Sequence, residues 1–357
     1  MASEGRRRPF LKRGIQLAFS LVIVVGIFAY AIPRIADYSA VMDTIGDLSP
    51  IEFITLFAAM LFNLLTYWLA NMAALPGLTL PKSAVVTQTT TSVANTLPAG
   101  GAIAVGLTFQ ILNSWGFSAQ SITLYIGVTG VWNVFVKLGL PVVSLALLAL
   151  TGQVSTALVV ASLIGLAVLL VAVALFTLAL SSEPFARRIG DGLGRLISWF
   201  RRPFRKPAIA ALGDHAVDFR ERTIVLVAGR WIRLTLTTVG SQLALWLVLL
   251  LCLRHVGISE QEVSTLQTLA VFAFGRLLGA IPITPGGLGV IELGYIGGLV
   301  AAGGNEAQVV AAVLLFRVLT YGIQIPIGGF TYMIWRAKRS WRQQPGEREV
   351  EAEVLPA

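Results

Sequence analysis

Six stretches of this chain, at 15–32, 51–70, 119–150, 154–180, 234–253 and 307–335, are apolar over a bilayer-spanning length. About 18 consecutive apolar residues suffice for a spanning helix, and no soluble core hides so many such runs. Composition agrees: 56% of the 357 residues are hydrophobic and only 13% are charged, about half the usual charged share. The expected fold class is an all-α polytopic membrane protein. The first run, Ile15 to Ile32, follows a basic start as a signal peptide would. No small-residue cleavage site follows it, so it reads as a retained span.

The formal charge is +9, but most Lys and Arg lie at the two ends and in one linker. Residues 181–222 hold nine basic and five acidic side chains. Basic residues gather this way at the cytoplasmic face of a membrane protein, so nucleic acid is not an expected partner. The basic N-terminus (1–14), the linker and the tail (336–357, read as disordered) are expected in the cytoplasm. The stretch 33–50 (Asp37, Asp43 and Asp47 against Arg34) and the loop 254–262 (Glu260, Glu262) are net acidic and are expected outside. The two membrane halves then run 15–180 and 223–335. A single Cys252 excludes an internal disulfide, and with two His it leaves no zinc-ligand set. No G-x-x-x-x-G-K-[ST] occurs, and no cofactor or metal is expected.

Each half contains one segment that Pro and Gly interrupt, 83–115 and 264–302. The charge assignment requires each to enter and return on the same face, as two spans or as a re-entrant hairpin. The first opens from the cytoplasm and the second from outside. "ANTLPAGGAIAVGLTFQIL" and "AIPITPGGLGVIELGYIGG" align loosely, with Gly100 and Gly101 on Gly286 and Gly287, and Phe109 on Tyr295. A one-residue shift sets Gly116 on Gly303. Together these features predict an inverted repeat with broken helices, a recurring transporter plan.

Pro and Gly at this density stop a helix. An irregular backbone in hydrocarbon survives only inside protein or along a wet cavity. The tips "PITPGGLG" and "PAGG" are therefore expected inside the bundle, with amide N–H groups that attract anions. Gly100, Gly101, Thr284, Gly286 and Gly287 are candidate binding positions on this ground. Asn95 joins them from the Thr-rich approach to the first tip. Arg276, Glu292 and Arg317 fall within apolar segments, where a charge costs at least about 2.5–3.5 kcal/mol. Their sum is +1 and Glu292 can pair with either Arg. Two readings follow: a cavity that binds an anionic group, or a structural ion pair that locks the hairpin to the last span. Arg230 and Arg233 read as snorkelling anchors, and Trp68, Trp132, Trp246 and Trp335 as interface-belt residues. Lys137 fits an interface or an interior position equally. The stretch 185–200 reads as a surface helix with Arg187, Arg188 and Arg195 near lipid phosphates, or as an ordinary loop.

"PITPGGLGVIE" at 282–292, Arg276 before it and "LLFRVLTYGIQIPIGG" at 314–329 after it resemble the lysylphosphatidylglycerol synthase transmembrane family, also described as flippase-like. "NTLPAGGA" followed by "GFS" at 116–118 is similar to that family's first Gly-rich segment. The resemblance covers about 15–335 and implies a prokaryotic plasma membrane. It further implies a region that moves an aminoacylated phospholipid between leaflets, with Arg276, Glu292 and Arg317 at the motif's charged positions. The bifunctional members carry a soluble transferase domain after this region, whereas a short charged tail follows here, so lysyl-lipid synthesis is not expected. Gly106 stands where the repeat would match Glu292, so a lysyl-lipid cargo does not follow. The expected function is a flippase or transporter for an anionic phospholipid or lipid-linked head group. The alternatives are a non-transporting scaffold and a membrane enzyme acting on head groups. Oligomeric state is left open.

Overall fold

The computed structural model describes residues 38–97, 100–151, 156–201, 212–279, 284 and 287–341. The expected first span, the tail beyond Trp341 and Gly286 lie outside the described residues. Every regular element among them is helical. Those of the first half are α1 (Tyr38–Gly46), α2 (Pro50–Ala74), α3 (Leu80–Thr96), α4 (Gly100–Ser114), α5 (Ala119–Leu150) and α6 (Thr156–Ser181). Then come α7 (Glu183–Arg201), α8 (Leu212–His255), α9 (Thr265–Leu278), α10 (Val290–Ala301), α11 (Glu306–Arg317) and α12 (Gln324–Ala337). A π-helical turn, Val318–Gly322, joins α11 to α12. Five of the described helical stretches are long and apolar enough to cross a membrane: Pro50–Ala74, Ala119–Leu150, Leu163–Ser181, Leu212–His255 and Glu306–Ala337. The protein is an all-α polytopic membrane protein.

Local sequence explains where the helices start. Ser49 caps α2 and Glu52 reaches back to its N–H at 2.7 Å, with Pro50 at the first helical position. Ser264 and Gln267 repeat that box at α9, and Asn305 accepts from Ala307 and Gln308 at α11.

The two interrupted segments are helical hairpins. α3 and α4 have 17 and 15 residues, α9 and α10 have 14 and 12. At 1.5 Å per residue these arms run from about 18 to about 26 Å, shorter than the ~30 Å hydrocarbon layer. The two ends of each hairpin lie together. A Cβ on Gly303, after α10, would stand 2.9 Å from the Glu262 carbonyl oxygen, before α9. One on Gly77, before α3, would stand 3.7 Å from the Phe117 ring, after α4.

The mouths face opposite ways, and the stretch Glu306–Ala337 measures the separation. Near its start, Gln308 abuts Gly257 at the mouth of the second hairpin. Near its end, the Trp335 indole donates to Ser114 Oγ at 3.1 Å, at the mouth of the first. The halves also exchange partners: α3 packs on α12, α9 packs on α5, and the equivalent helices α2 and α8 pack on each other. Glycines with positive φ close equivalent helices, Gly77 (83°) and Gly257 (93°) after α2 and α8, Gly116 (93°) and Gly303 (115°) after α4 and α10. The packing thus has the form of an inverted repeat.

The halves differ in one respect. α10 is enclosed, with Tyr295 1% and Ile296 0% exposed. Its counterpart α4 exposes Ile103, Val105 and Phe109. The 185–200 stretch is helical as α7 and packs against α8; Arg187 pairs across to Asp214 at 2.5 Å and within α7 to Glu183 at 3.6 Å. Trp132 and Trp335 face protein rather than lipid. Both are buried, and the Trp132 indole donates to Thr235 Oγ1 at 3.1 Å, because neighbouring helices supply acceptors that a lipid-facing indole would lack.

Candidate functional site

The second hairpin is drawn tight by missing side chains. A Cβ on Gly275 (α9) would overlap the Tyr295 ring, and one on Gly294 would stand 2.5 Å from Leu278 Cδ1. Tyr295 fills the space this leaves, stacked on Phe272 with centroids 6.3 Å apart and edge-on to Phe316 at 5.8 Å. The aromatic wedge joins both hairpin arms to α11.

At the tip, Gly287 (φ 70°) and Gly289 (φ 84°) turn the chain into α10 through conformations that other residues rarely adopt. The Thr284 hydroxyl donates to the Leu288 carbonyl at 2.7 Å, and the Gly287 N–H to the Thr284 carbonyl at 3.0 Å. Glu292 lies three residues past the N-cap. Its Oε2 accepts from the Gly289 N–H at 2.7 Å, and its Oε1 accepts from Arg317 Nε at 2.6 Å. Glu292 is 0% and Arg317 13% exposed. The anion that this helix N-terminus attracts is therefore supplied by the chain itself.

Arg317 stacks over the Tyr321 ring at 4.6 Å, inside the π-helical turn. The Tyr321 hydroxyl donates to the Asn95 carbonyl at 2.5 Å, so the chain of contacts reaches from the second tip to the end of α3.

Arg276 takes a different partner. Its Nε donates to Gln242 Oε1 at 3.0 Å, and Gln242 Nε2 donates onward to the Tyr67 hydroxyl at 3.4 Å. Gln242 is fully buried. Arg276 makes no ion pair among the described residues. It nonetheless adjoins the pair: the neighbouring Gly275 abuts the Tyr295 ring, one helical turn along α10 from Glu292. The cluster thus holds one carboxylate against two guanidinium groups.

The structure brings together Arg276, Glu292, Arg317, Thr284, Gly287 and Asn95, the last through its carbonyl. At the first tip, Gly100 is buried against the end of α3 and its N–H donates to the Leu97 carbonyl at 2.9 Å. Gly101 is exposed, with nothing within 4 Å of where a Cβ would stand. Sequence reasoning missed Gln242, Tyr67, Tyr295 and Tyr321. A lone Gln inside the 234–253 run was the one available signal, because a buried amide needs a partner. The tyrosines carry no such mark.

The family model described as lysylphosphatidylglycerol synthase TM region matches residues 17–328. A "UPF0104 membrane protein" from Methanothermobacter thermautotrophicus is 30% identical over 204 residues, 52% of this chain and 55% of that protein. The match therefore spans about half the length of the relative.

Proposed function

The chain belongs to the lysylphosphatidylglycerol synthase transmembrane family, and on that premise we propose that it moves an anionic phospholipid, or a lipid-linked anionic head group, across the membrane. One observation carries the reading: beside a buried Arg317–Glu292 pair, Arg276 makes no ion pair among the described residues. Once Glu292 neutralises Arg317, Arg276 leaves the cluster with a surplus positive charge. Such a charge within the membrane is costly and marks a substrate path more often than a structural lock.

Two features support it. An apolar groove of about 590 Å³ lies between α2 and the π-helical turn, lined by Phe53, Phe57, Leu61, Leu315, Val318 and Ile323. It suits an acyl chain while the head group engages the cations. The reciprocal exchange of hairpins between halves provides two bodies that can rock about a shared centre, as in other inverted-repeat transporters. The membrane is a prokaryotic plasma membrane, and the mouth of the first hairpin faces the cytoplasm. Synthase chemistry has little to work with in this cluster, whose one carboxylate is held in an ion pair.

Reconstitution in liposomes with a labelled anionic lipid tests the proposal. Wild type accelerates lipid exchange between leaflets, and Arg276→Gln slows it strongly while remaining folded. Equal exchange by wild type, Arg276→Gln and a Glu292→Gln, Arg317→Ala double variant would sink the reading. Stable copurification with one partner and no lipid movement would favour a scaffold instead.

A further inference from the structure

The mouth of the first hairpin gathers side chains that the central cluster does not use. Lys82 comes from the first turn of α3 and Trp115 from just after α4, while Lys338 and Trp341 follow α12. The Trp115 and Trp341 rings meet edge to face with centroids 5.7 Å apart. Lys82 Nζ stands 5.6 Å from the Trp115 centroid, and Lys338 Nζ 4.6 Å from that of Trp341. The order in space is cation, indole, indole, cation.

No acid among the described residues answers these cations. Neither Lys82 nor Lys338 takes part in an ion pair among the described residues. A ring face holds an ammonium electrostatically but offers no lone pair, so the three N–H donors of each remain to be satisfied from outside. The Trp115 indole N–H is also buried without an acceptor among the described residues, whereas that of Trp335 reaches Ser114. The cluster is rich in donors and poor in acceptors. Its members stand at helix ends, the depth at which indoles and lysines meet lipid head groups.

We propose that the Lys82–Trp115–Trp341–Lys338 cluster binds the phosphate of an anionic phospholipid head group, at a site separate from the buried Arg317–Glu292 cluster. A bound head group bridges the first hairpin and the end of α12, which already pack together along α3. The inference does not depend on transport: the same site on a non-transporting protein would bind the same lipid. A free phosphate offers the same chemistry, and so do Glu347, Glu349, Glu351 and Glu353 of the chain's own tail. The lipid is favoured because the indole pair places the cations at the bilayer interface, where lipid phosphate is concentrated.

The full chain in phosphatidylcholine nanodiscs doped with phosphatidylglycerol, with retained lipids counted by native mass spectrometry, provides the test. A lysine near an anionic surface contributes about fivefold in affinity, so Lys82→Gln with Lys338→Gln should weaken one phosphatidylglycerol site roughly 25-fold. The Lys82→Arg, Lys338→Arg variant should retain it. Unchanged retention in the Gln variant overturns the proposal. Displacement by millimolar inorganic phosphate would assign the site to a free anion, and also overturns it. A chain ending at Trp341 should bind as the full chain does. Binding that appears only after this truncation would assign the site to the acidic tail and overturn the lipid assignment.

Discussion

Glu292 Oε1 accepts a hydrogen bond from Arg317 Nε at 2.6 Å, and the same carboxylate caps the Gly289 N–H through its other oxygen. One side chain thus holds both the tip of the second hairpin and the helix that carries the π turn. Breaking a buried pair from one side strands the other charge, at about 3–5 kcal/mol. Arg317→Ala and Glu292→Gln should each lower thermal stability in detergent by an amount in that range. The double variant should cost less than their sum, because no lone charge remains. An additive double variant would show that the two residues do not act as a pair.

Arg276 should separate stability from function. Its hydrogen bond to Gln242 is charge-assisted and worth about 1.5–3 kcal/mol. Arg276→Gln should therefore destabilise less than Arg317→Ala while reducing anionic-lipid exchange at least as much. Lipid exchange at the wild-type rate, with the melting temperature lowered, would mark Arg276 as purely structural.

The Gly275–Tyr295 approach predicts a position-specific cost. Gly275→Ala forces the Tyr295 ring from its place, and overpacking of this kind costs about 1–3 kcal/mol. Gly297→Ala, on the outer side of α10, meets nothing within 4 Å. It should be neutral or stabilise by up to about 1 kcal/mol through helix propensity. Melting curves of the two variants check the contrast.

Acid should loosen the loop at the mouth of the second hairpin. Burial pushes the Glu260 carboxyl up, but the Thr265 N–H and hydroxyl, with Arg254, outweigh it and hold the group below its ordinary range. The Ser259 N–H and hydroxyl hold Glu262 low in the same way. Both contributions are present above the ordinary carboxylate pKa of about 4.3 and are lost as pH falls through the lower folded values. Amide exchange at 259–265 should therefore accelerate below about pH 4, with α8 protected throughout.

Much of this architecture can be read in the chain itself. Run length marks the spans, Pro and Gly mark the two breaks, and the loose match of the "GG" segments marks the repeat. These are local properties: a helix either spans or does not by its own length, and a glycine at positive φ is needed wherever the chain turns that way. Three charges in apolar surroundings were visible for the same reason, since no lipid-facing position tolerates them.

What no local pattern contains is which groups meet. Glu292 had two candidate guanidinium partners at similar cost, and only the packing of α10 against α11 chose Arg317 and left Arg276 to Gln242. The tip amides look open to a ligand in sequence, yet the Gly289 N–H is taken by Glu292, and the Gly100 and Gly287 N–H groups by carbonyls within their own turns. The α3–α12 and α9–α5 exchange, the wedge of Tyr295 over Gly275 and the contact of Tyr321 with Asn95 join residues from 20 to more than 200 positions apart. Side-chain pairing depends on distance and direction in space, and those exist only once the helices have packed.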